Sequence, residues 1–300
     1  MNMKLGFVGI GRMGAPMARR LIAAGYDVTV FDPSAAAMAE LEKDGAHRAD
    51  SPAAVADVAG MVLLSLPTPD IVNKVATGED GLVAGKSARI VVDLSTTGPR
   101  GAKALAGALS AHGIGLVDCP VSGGVAGAAA GRLTLMAAGA ADDFAKAEPV
   151  LANLGKVTHV GTEPGQAQLI KVINNLMSVT ALAIASEGMV LARKAGIDPA
   201  MLMQVVNSGS GRSNASEDKV PKYVLTRSFD FGFALGLSAK DIRLCLDEAD
   251  ALGVPMIVGS AARQLLTVAK GELGADGDLT AMIKPIERLA GLDPDANAPA

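Results

Sequence analysis

Cysteine and histidine are scarce in this sequence, and neither is spaced to bind a metal or to build a nucleophile. The two cysteines, Cys119 and Cys245, stand far apart and match no ligand pattern. A reduced, cytoplasmic setting is therefore expected, with both thiols buried as small apolar groups. His47, His112 and His159 are equally scattered, each near a glycine or a polar turn, and read as surface residues. Runs of Lys and Arg are missing as well. At a formal net charge of -4 the chain lacks the basic patch that a polyanion partner needs, so no nucleic-acid partner is expected. No uninterrupted apolar stretch reaches the roughly 18 residues of a membrane span, so no membrane partner is expected either. The apolar N-terminal segment imitates a signal peptide only superficially, because Gly6, Gly9, Gly11 and Gly14 cut it, and an unprocessed, soluble chain is the expectation.

What is present is apolar and orderly. Hydrophobic residues make up 50% and charged residues 19%, and 300 residues exceed what one core usually serves, so two domains are expected. In the first half, Leu5-Gly6-Phe7-Val8, Val28-Thr29-Val30-Phe31, Met61-Val62-Leu63-Leu64 and Ile90-Val91-Val92 are short and apolar on both faces, as buried parallel strands are. Weaker strand signals follow at 115–117, 134–136 and 157–160. Segments 15–24, 35–43 and 71–75 suit helices, and this alternation implies a parallel sheet with right-handed crossovers. After Gly161-Thr162-Glu163-Pro164-Gly165 the pattern changes. From 166 to about 195 the chain has no proline and a single glycine, Gly188, which predicts a helix of roughly 45 Å. Segments 199–206, 239–252, 255–270 and 280–289 also favour helix.

Gly9-Ile10-Gly11-Arg12-Met13-Gly14 is a G-x-G-x-x-G that follows a strand, opens a helix and precedes a second strand ending in Asp32. Gly9 permits the tight turn, Gly11 lets the backbone approach a pyrophosphate, and Gly14 lets helix and strand pack closely. The helix start, with Arg12 and Met13 in the turn, offers free amides and a positive dipole end to phosphates. Asp32 can accept hydrogen bonds from the adenosine ribose. A 2′-phosphate there would meet its charge with no arginine in Pro33-Ser34 to offset it, so NAD is expected over NADP. The expected architecture is an α/β Rossmann domain with a doubly wound, mostly parallel sheet over 1–162. An all-α substrate and dimerisation domain, joined by a long interdomain helix, takes 163–292, and a frayed tail 293–300. Carboxyl ends of strands bind ligands in such sheets. That places Leu66 and Pro67 beside the adenosine side of the cofactor and Thr96 near the nicotinamide.

Four blocks in sequence order carry a resemblance over nearly the whole chain. They are 9–18, reading GIGRMGAPMA; Asp118-Cys119-Pro120-Val121-Ser122-Gly123-Gly124 with Gly127, Ala128 and Gly131; Lys171 with Asn174 and Asn175; and Lys240-Asp241. Together they resemble the β-hydroxyacid dehydrogenase family, in which 3-hydroxyisobutyrate dehydrogenase is found. Departures from the family's usual residues are Cys119, Ala167 and Ser238, which remove no reactive group and are expected to act on the fit of the pocket.

The resemblance implies roles that the residues also suit. Lys171, on a mostly apolar helix, is the candidate general acid/base, since burial of an ammonium favours its neutral form. Asn175 lies one helical turn on, on the same face, as the positioning residue. Ser122, Gly123 and Gly124 are implied to grip the substrate carboxylate. Lys240 is implied to close over the cofactor and substrate region, against the plainer reading of a surface Lys-Asp pair. The polar cluster Asn207-Ser208-Gly209-Ser210-Gly211-Arg212-Ser213-Asn214 fits equally the distal end of a pocket or an inter-helix loop.

The expected activity is reversible NAD-linked oxidation of a small 3-hydroxy acid, such as 3-hydroxyisobutyrate, to its semialdehyde, by a homodimer or homotetramer. One alternative is a reductase of tartronate semialdehyde or sulfolactaldehyde. Another is a non-catalytic NAD(H)-binding protein on the same scaffold, which would be expected to lose Lys171. The retained lysine also argues against the imine reductases.

Overall fold

A computed structural model describes residues 4–295. The chain divides into two compact units, Met1–Lys171 and Val172–Ala300. The division falls inside the long helix rather than ahead of it at 162.

In the first unit the strands are β1 (Lys4–Val8), β2 (Asp27–Phe31), β3 (His47–Arg48), β4 (Met61–Leu64), β5 (Ile90–Asp93), β6 (Gly115–Asp118), β7 (Val121–Ser122), β8 (Leu133–Ala138) and β9 (Gly155–Gly161). They form one sheet in the order β3-β2-β1-β4-β5-β6-β8-β7, with β9 on β8. β1 through β6 pair in parallel, whereas β8 is antiparallel to β6 and β7 and parallel to β9. The order reverses at β1, whose neighbours are β2 and β4. At such a switch point the strand carboxyl ends open a crevice for ligands.

Both faces of the sheet are covered, which is why its strands read as continuous apolar runs. Leu5 and Phe7 enter one core with Met17, Leu21 and Val30, while Val8 enters the other with Val62 and Leu64. Full burial of each such side chain contributes about 1.5–3 kcal/mol. The helices are α1 (Gly14–Ala23), α2 (Ala35–Lys43), α3 (Pro52–Val58), α4 (Pro69–Thr77), α5 (Gly98–Ser110), α6 (Gly124–Ala130) and α7 (Ala141–Leu151). Ser34, Ser51 and Thr68 start α2, α3 and α4 by accepting a hydrogen bond from the backbone amide three residues on. The sequence reading passes over α3, α5, α6, α7 and the two-residue strands β3 and β7. Glycines in α5 and α6 and Pro149 inside α7 weaken the helical signal there.

The remaining helices are α8 (Gln166–Lys194), which runs through the division, α9 (Pro199–Ser208), α10 (Leu235–Ala251), α11 (Ile257–Leu273) and α12 (Ile283–Leu289). Between α9 and α10 lies a π-helix, Ala215–Val224, whose Leu225 amide donates to Val220 five residues back. Pro221 within it has no amide to donate, and the sequence there gives no ordinary helical pattern. The second unit's described elements are all helical, with Leu235, Ile242, Leu266, Met282 and Ile283 buried.

Two expectations need correction. α8 is long and apolar enough to cross a membrane by length and composition, with mean hydropathy 1.5 over its best window. A window average tolerates the interspersed polar residues that a search for unbroken apolar runs rejects. Of that window 44% is buried inside the protein. The expected tail is also only partly outside the described residues: Asp295 pairs with Lys284 at 2.8 Å, and Arg227 donates to the carbonyl of Pro294. Residues 293–295 are therefore held, and 296–300 lie beyond those described. All three histidines are exposed, and both cysteines are free and buried.

Candidate functional site

The fingerprint turn follows β1, and each glycine in it has a separate cause. Gly9 has φ +89°, and a Cβ there would meet the Ser65 carbonyl at 2.4 Å. A Cβ on Gly14 would meet the Gly9 carbonyl at 1.9 Å, so helix and turn are in contact. Gly11 has neither reason, because a Cβ there would point into open space. The absence of a side chain at Gly11 fits the approach of a pyrophosphate and nothing in the fold. α1 has Met13 as its N-cap, with no side-chain cap bond and no acidic residue in its first turn, which suits an anion at its positive end. Arg12 is exposed at the same turn.

Asp32 follows β2. Its carboxylate accepts from the Ile10 amide at 2.9 Å and the Ser34 amide at 2.8 Å, so it braces the fingerprint turn as well as fronting it. Leu66 and Pro67 follow β4, and the Leu66 amide donates to Ser95 Oγ at 2.9 Å. Ser95, which the sequence reading missed, thus ties the loops after β4 and β5 together, with Thr96 half-buried beside it. Ser122 ends β7. Gly123 and Gly124 have φ +133° and +63°, a backbone path that L residues rarely follow, which accounts for the glycine pair.

A second group missed in the sequence anchors the start of α8. Gln168 is fully buried; its Nε2 donates to Asp118 Oδ1 at 2.7 Å and to the Ser95 carbonyl, and its Oε1 accepts from the Thr97 and Gly98 amides. Asp118 Oδ2 in turn accepts from the Gly165 and Gln168 amides, at 3.0 and 3.2 Å. The helix that carries Lys171 is thereby fixed to the carboxyl ends of β5 and β6, with Lys171 itself buried.

Burial pushes the Asp118 carboxyl up to about 7 from 3.8; the Gln168 side chain opposes this, Asp93 adds repulsion, and the Gly165 and Gln168 amides oppose it further. The folded state then keeps a proton that the unfolded chain has lost between pH 3.8 and about 7. Stability from this group is present below 3.8 and is lost as pH rises through about 7, a few kcal/mol in all. Thermal melts across this range should show Asp118→Asn with a shallower decline than the parent. Two parallel pH profiles would mean that the carboxyl titrates normally. The neighbouring Cys119 thiol is pushed up by burial and by Asp118 and Asp93, which keeps it neutral and unreactive.

In the second unit Asn175 Nδ2 donates to Asp241 Oδ2 at 2.6 Å, and its Oδ1 accepts from Asn174 at 3.2 Å. Ionised, Asp241 can only accept, so the amide nitrogen must face it. Lys240 Nζ stands 3.0 Å from Asp241 Oδ1. That oxygen has no partner at hydrogen-bonding geometry, so the contact is a charge pair rather than a directed bond. With the two side chains 12% and 4% exposed, this is not a surface pair, and the plainer reading of Lys240 fails. The three family departures, Cys119, Ala167 and Ser238, are all fully buried and line no open surface.

The polar cluster divides. Asn207 and Ser208 end α9, and Asn207 Nδ2 donates to the Ser216 carbonyl at 2.9 Å. Arg212 lies exposed near Glu217, at 3.6 Å, while Ser213 and Ser216 bond each other at the start of the π-helix. Most of the cluster is thus an inter-helix connection, with Asn214 facing Lys219.

The chain matches two family models: the NAD-binding domain of 6-phosphogluconate dehydrogenase over residues 4–161, and the NAD-binding model of NADP-dependent 3-hydroxyisobutyrate dehydrogenase over 165–286. It is 34% identical to 2-(hydroxymethyl)glutarate dehydrogenase of Eubacterium barkeri, over 97% of each chain. It is 37% identical to 3-hydroxyisobutyrate dehydrogenase of Pseudomonas aeruginosa, over 88% of this chain and 91% of that one. A solved structure of Mycobacterium tuberculosis 3-hydroxyisobutyrate dehydrogenase with L-serine superposes with a TM-score of 0.87 at 32% identity, covering 95% and 99% of the two chains.

Proposed function

Because the chain belongs to the β-hydroxyacid dehydrogenase family of NAD(P)-binding oxidoreductases, we propose that it interconverts a small 3-hydroxy acid and its semialdehyde, using Lys171 as general acid/base. The observation that carries this reading is a buried lysine on a helix whose first turn is bolted to the carboxyl ends of β5 and β6 through Gln168 and Asp118. A hydroxyl being oxidised must lose its proton to a group held in place, and the same group must return it in reduction. Nicotinamide, when bound, supplies the hydride acceptor or donor. Lys171 Nζ takes the hydroxyl proton as the carbonyl forms. Asn175, oriented by Asp241, positions the reacting oxygen from one turn along α8. Ser122 and the amides of Gly123 and Gly124 hold the substrate carboxylate, and Lys240 adds positive charge.

NADH formation from a panel of small 3-hydroxy acids, with NAD or NADP, tests the reading. Turnover on a member of the panel supports it, and silence across the panel with NAD binding intact removes the substrate class. We take NAD as the preferred cofactor, since Asp32 presents a carboxylate where a 2′-phosphate would sit. Asp32→Asn keeps an acceptor for the Ile10 amide and removes the charge. The ratio of kcat/KM for NADP over NAD should rise about tenfold, roughly 1.4 kcal/mol, and an unchanged ratio would remove Asp32 as the discriminator.

A homodimer or homotetramer in the cytoplasm completes the proposal. Ile170, Met177, Ile184 and Leu191 repeat every seven residues along α8 and are 42–72% exposed. Such a stripe suits packing against a helix of a second copy. The two free, buried thiols suit a reducing compartment.

A further inference from the structure

α8 carries a polar stripe at helical spacing, Lys171, Asn174, Asn175 and Ser178. At its far end, two turns or about 10 Å beyond Lys171 along the axis, stands a cation that the mechanism does not use. Lys219, on the π-helix, is 3% exposed. Its Nζ donates to Ser178 Oγ at 2.5 Å and to Asn214 Oδ1 at 3.0 Å, and lies 5.4 Å from the centre of the Phe231 ring. These partners are neutral. Its neighbour Asp218 is turned to Lys222 at 2.5 Å, and among the described residues no carboxylate is within ion-pair distance of Lys219. Other sheltered cations of this unit have an acid: Arg193 and Arg227 share Glu287, and Lys240 has Asp241. Burial lowers the pKa of Lys219, and the charge of Asp218, which is bonded to Lys222 instead, only partly opposes it.

We propose that Lys219, with Ser178 and Asn214, binds a second anionic group of the substrate, a carboxylate or a sulfonate, and so selects dianionic 3-hydroxy acids or their semialdehydes. The inference rests on the reading of Lys171 as the group at the reacting carbon. An oxyanion there would replace a neutral oxygen by a directly bonded counter-charge, with Ser178 and the Asn214 amide as further donors. Asn174 and Asn214 are exposed and Ser178 is half-buried, so the polar groups beside the ammonium extend to the surface.

Calorimetry on the full chain saturated with NAD tests binding without turnover. Glutarate and 3-sulfopropionate each carry a second anion that butyrate lacks. At least one should bind about 10- to 100-fold more tightly than butyrate, and which one does so identifies the anion. Lys219→Met should collapse that ratio toward one, and Lys219→Arg should restore part of it. A purely structural lysine would weaken all three ligands alike and leave the ratio standing. Equal affinities in the parent protein, or a ratio that survives in a folded Lys219→Met, would overturn the proposal. Binding is read apart from catalysis, so a failure of the dehydrogenase reading would appear as silence in the turnover panel with the ligand ratio intact.

Discussion

Lys171→Ala is expected to lower kcat by about 10²–10⁴-fold while the affinity for NADH, measured by fluorescence titration, stays within a few-fold of the parent. The dinucleotide elements, Gly9 to Gly14, Asp32 and Ser95, are held by the Ile10–Asp32 and Leu66–Ser95 hydrogen bonds and by close backbone contacts at Gly9 and Gly14. Alanine also preserves the helix, being its best former. A loss of turnover alone would leave two explanations, proton transfer or simple attraction for a substrate anion. Lys171→Arg separates them. A guanidinium keeps the charge but does not give up its proton near neutral pH. An acid/base lysine predicts that arginine rescues KM and not kcat, whereas an electrostatic one predicts recovery of both. Full turnover in Lys171→Ala would remove the residue from the chemistry.

The parts of this site that were legible in the sequence are those with a local cause. Gly9 and Gly14 could be read because a turn and a helix contact each demand a missing side chain at a fixed offset from a strand. Lys171 was singled out by the family resemblance, and helical spacing then placed Asn175 on the same face, four residues on. Gln168, Ser95 and Asp118 act together across more than 70 positions, from Ser95 to Gln168, and nothing near any of them announces the others. Gln168 does leave a trace, since a polar residue between Ala167 and Leu169 invites the question of what it bonds. The stripe Lys171, Asn174, Asn175 and Ser178 was equally visible as a pattern. Lys219 was hidden, because a π-helix with Pro221 inside it has neither the period of a helix nor that of a strand. Asp241 was legible only as one half of a pair with Lys240, while its tightest bond is to Asn175, 66 positions away.

Removing the carboxylate of Glu287 should be the most damaging single change to the second unit outside its apolar core. Glu287 is fully buried on α12 and meets two guanidiniums, Arg193 in the last turn of α8 and Arg227 in the segment after the π-helix. Arg227 approaches as a fork, at 2.9 and 3.0 Å, from a backbone with φ +59° that a non-glycine residue rarely adopts. That backbone position has to be secured by something else in the fold, and the ion pair is the candidate. With the acid gone, two charges at 17% and 15% exposure lose their partner, which in such settings costs about 3–5 kcal/mol. Glu287→Ala should therefore lower the melting temperature on the order of 10 °C. Glu287→Gln should fall between, since it keeps one acceptor but no charge. The two outcomes differ in kind from a cavity effect: added salt should narrow the gap between Glu287→Gln and the parent only slightly, because a buried pair is poorly screened. A shift of one or two degrees would instead mean that the triad sets geometry without holding the unit together. Arg227 also donates to the Pro294 carbonyl, so exchange protection at Asp295 should fall with the melting temperature if the carboxylate is what keeps that arginine in place.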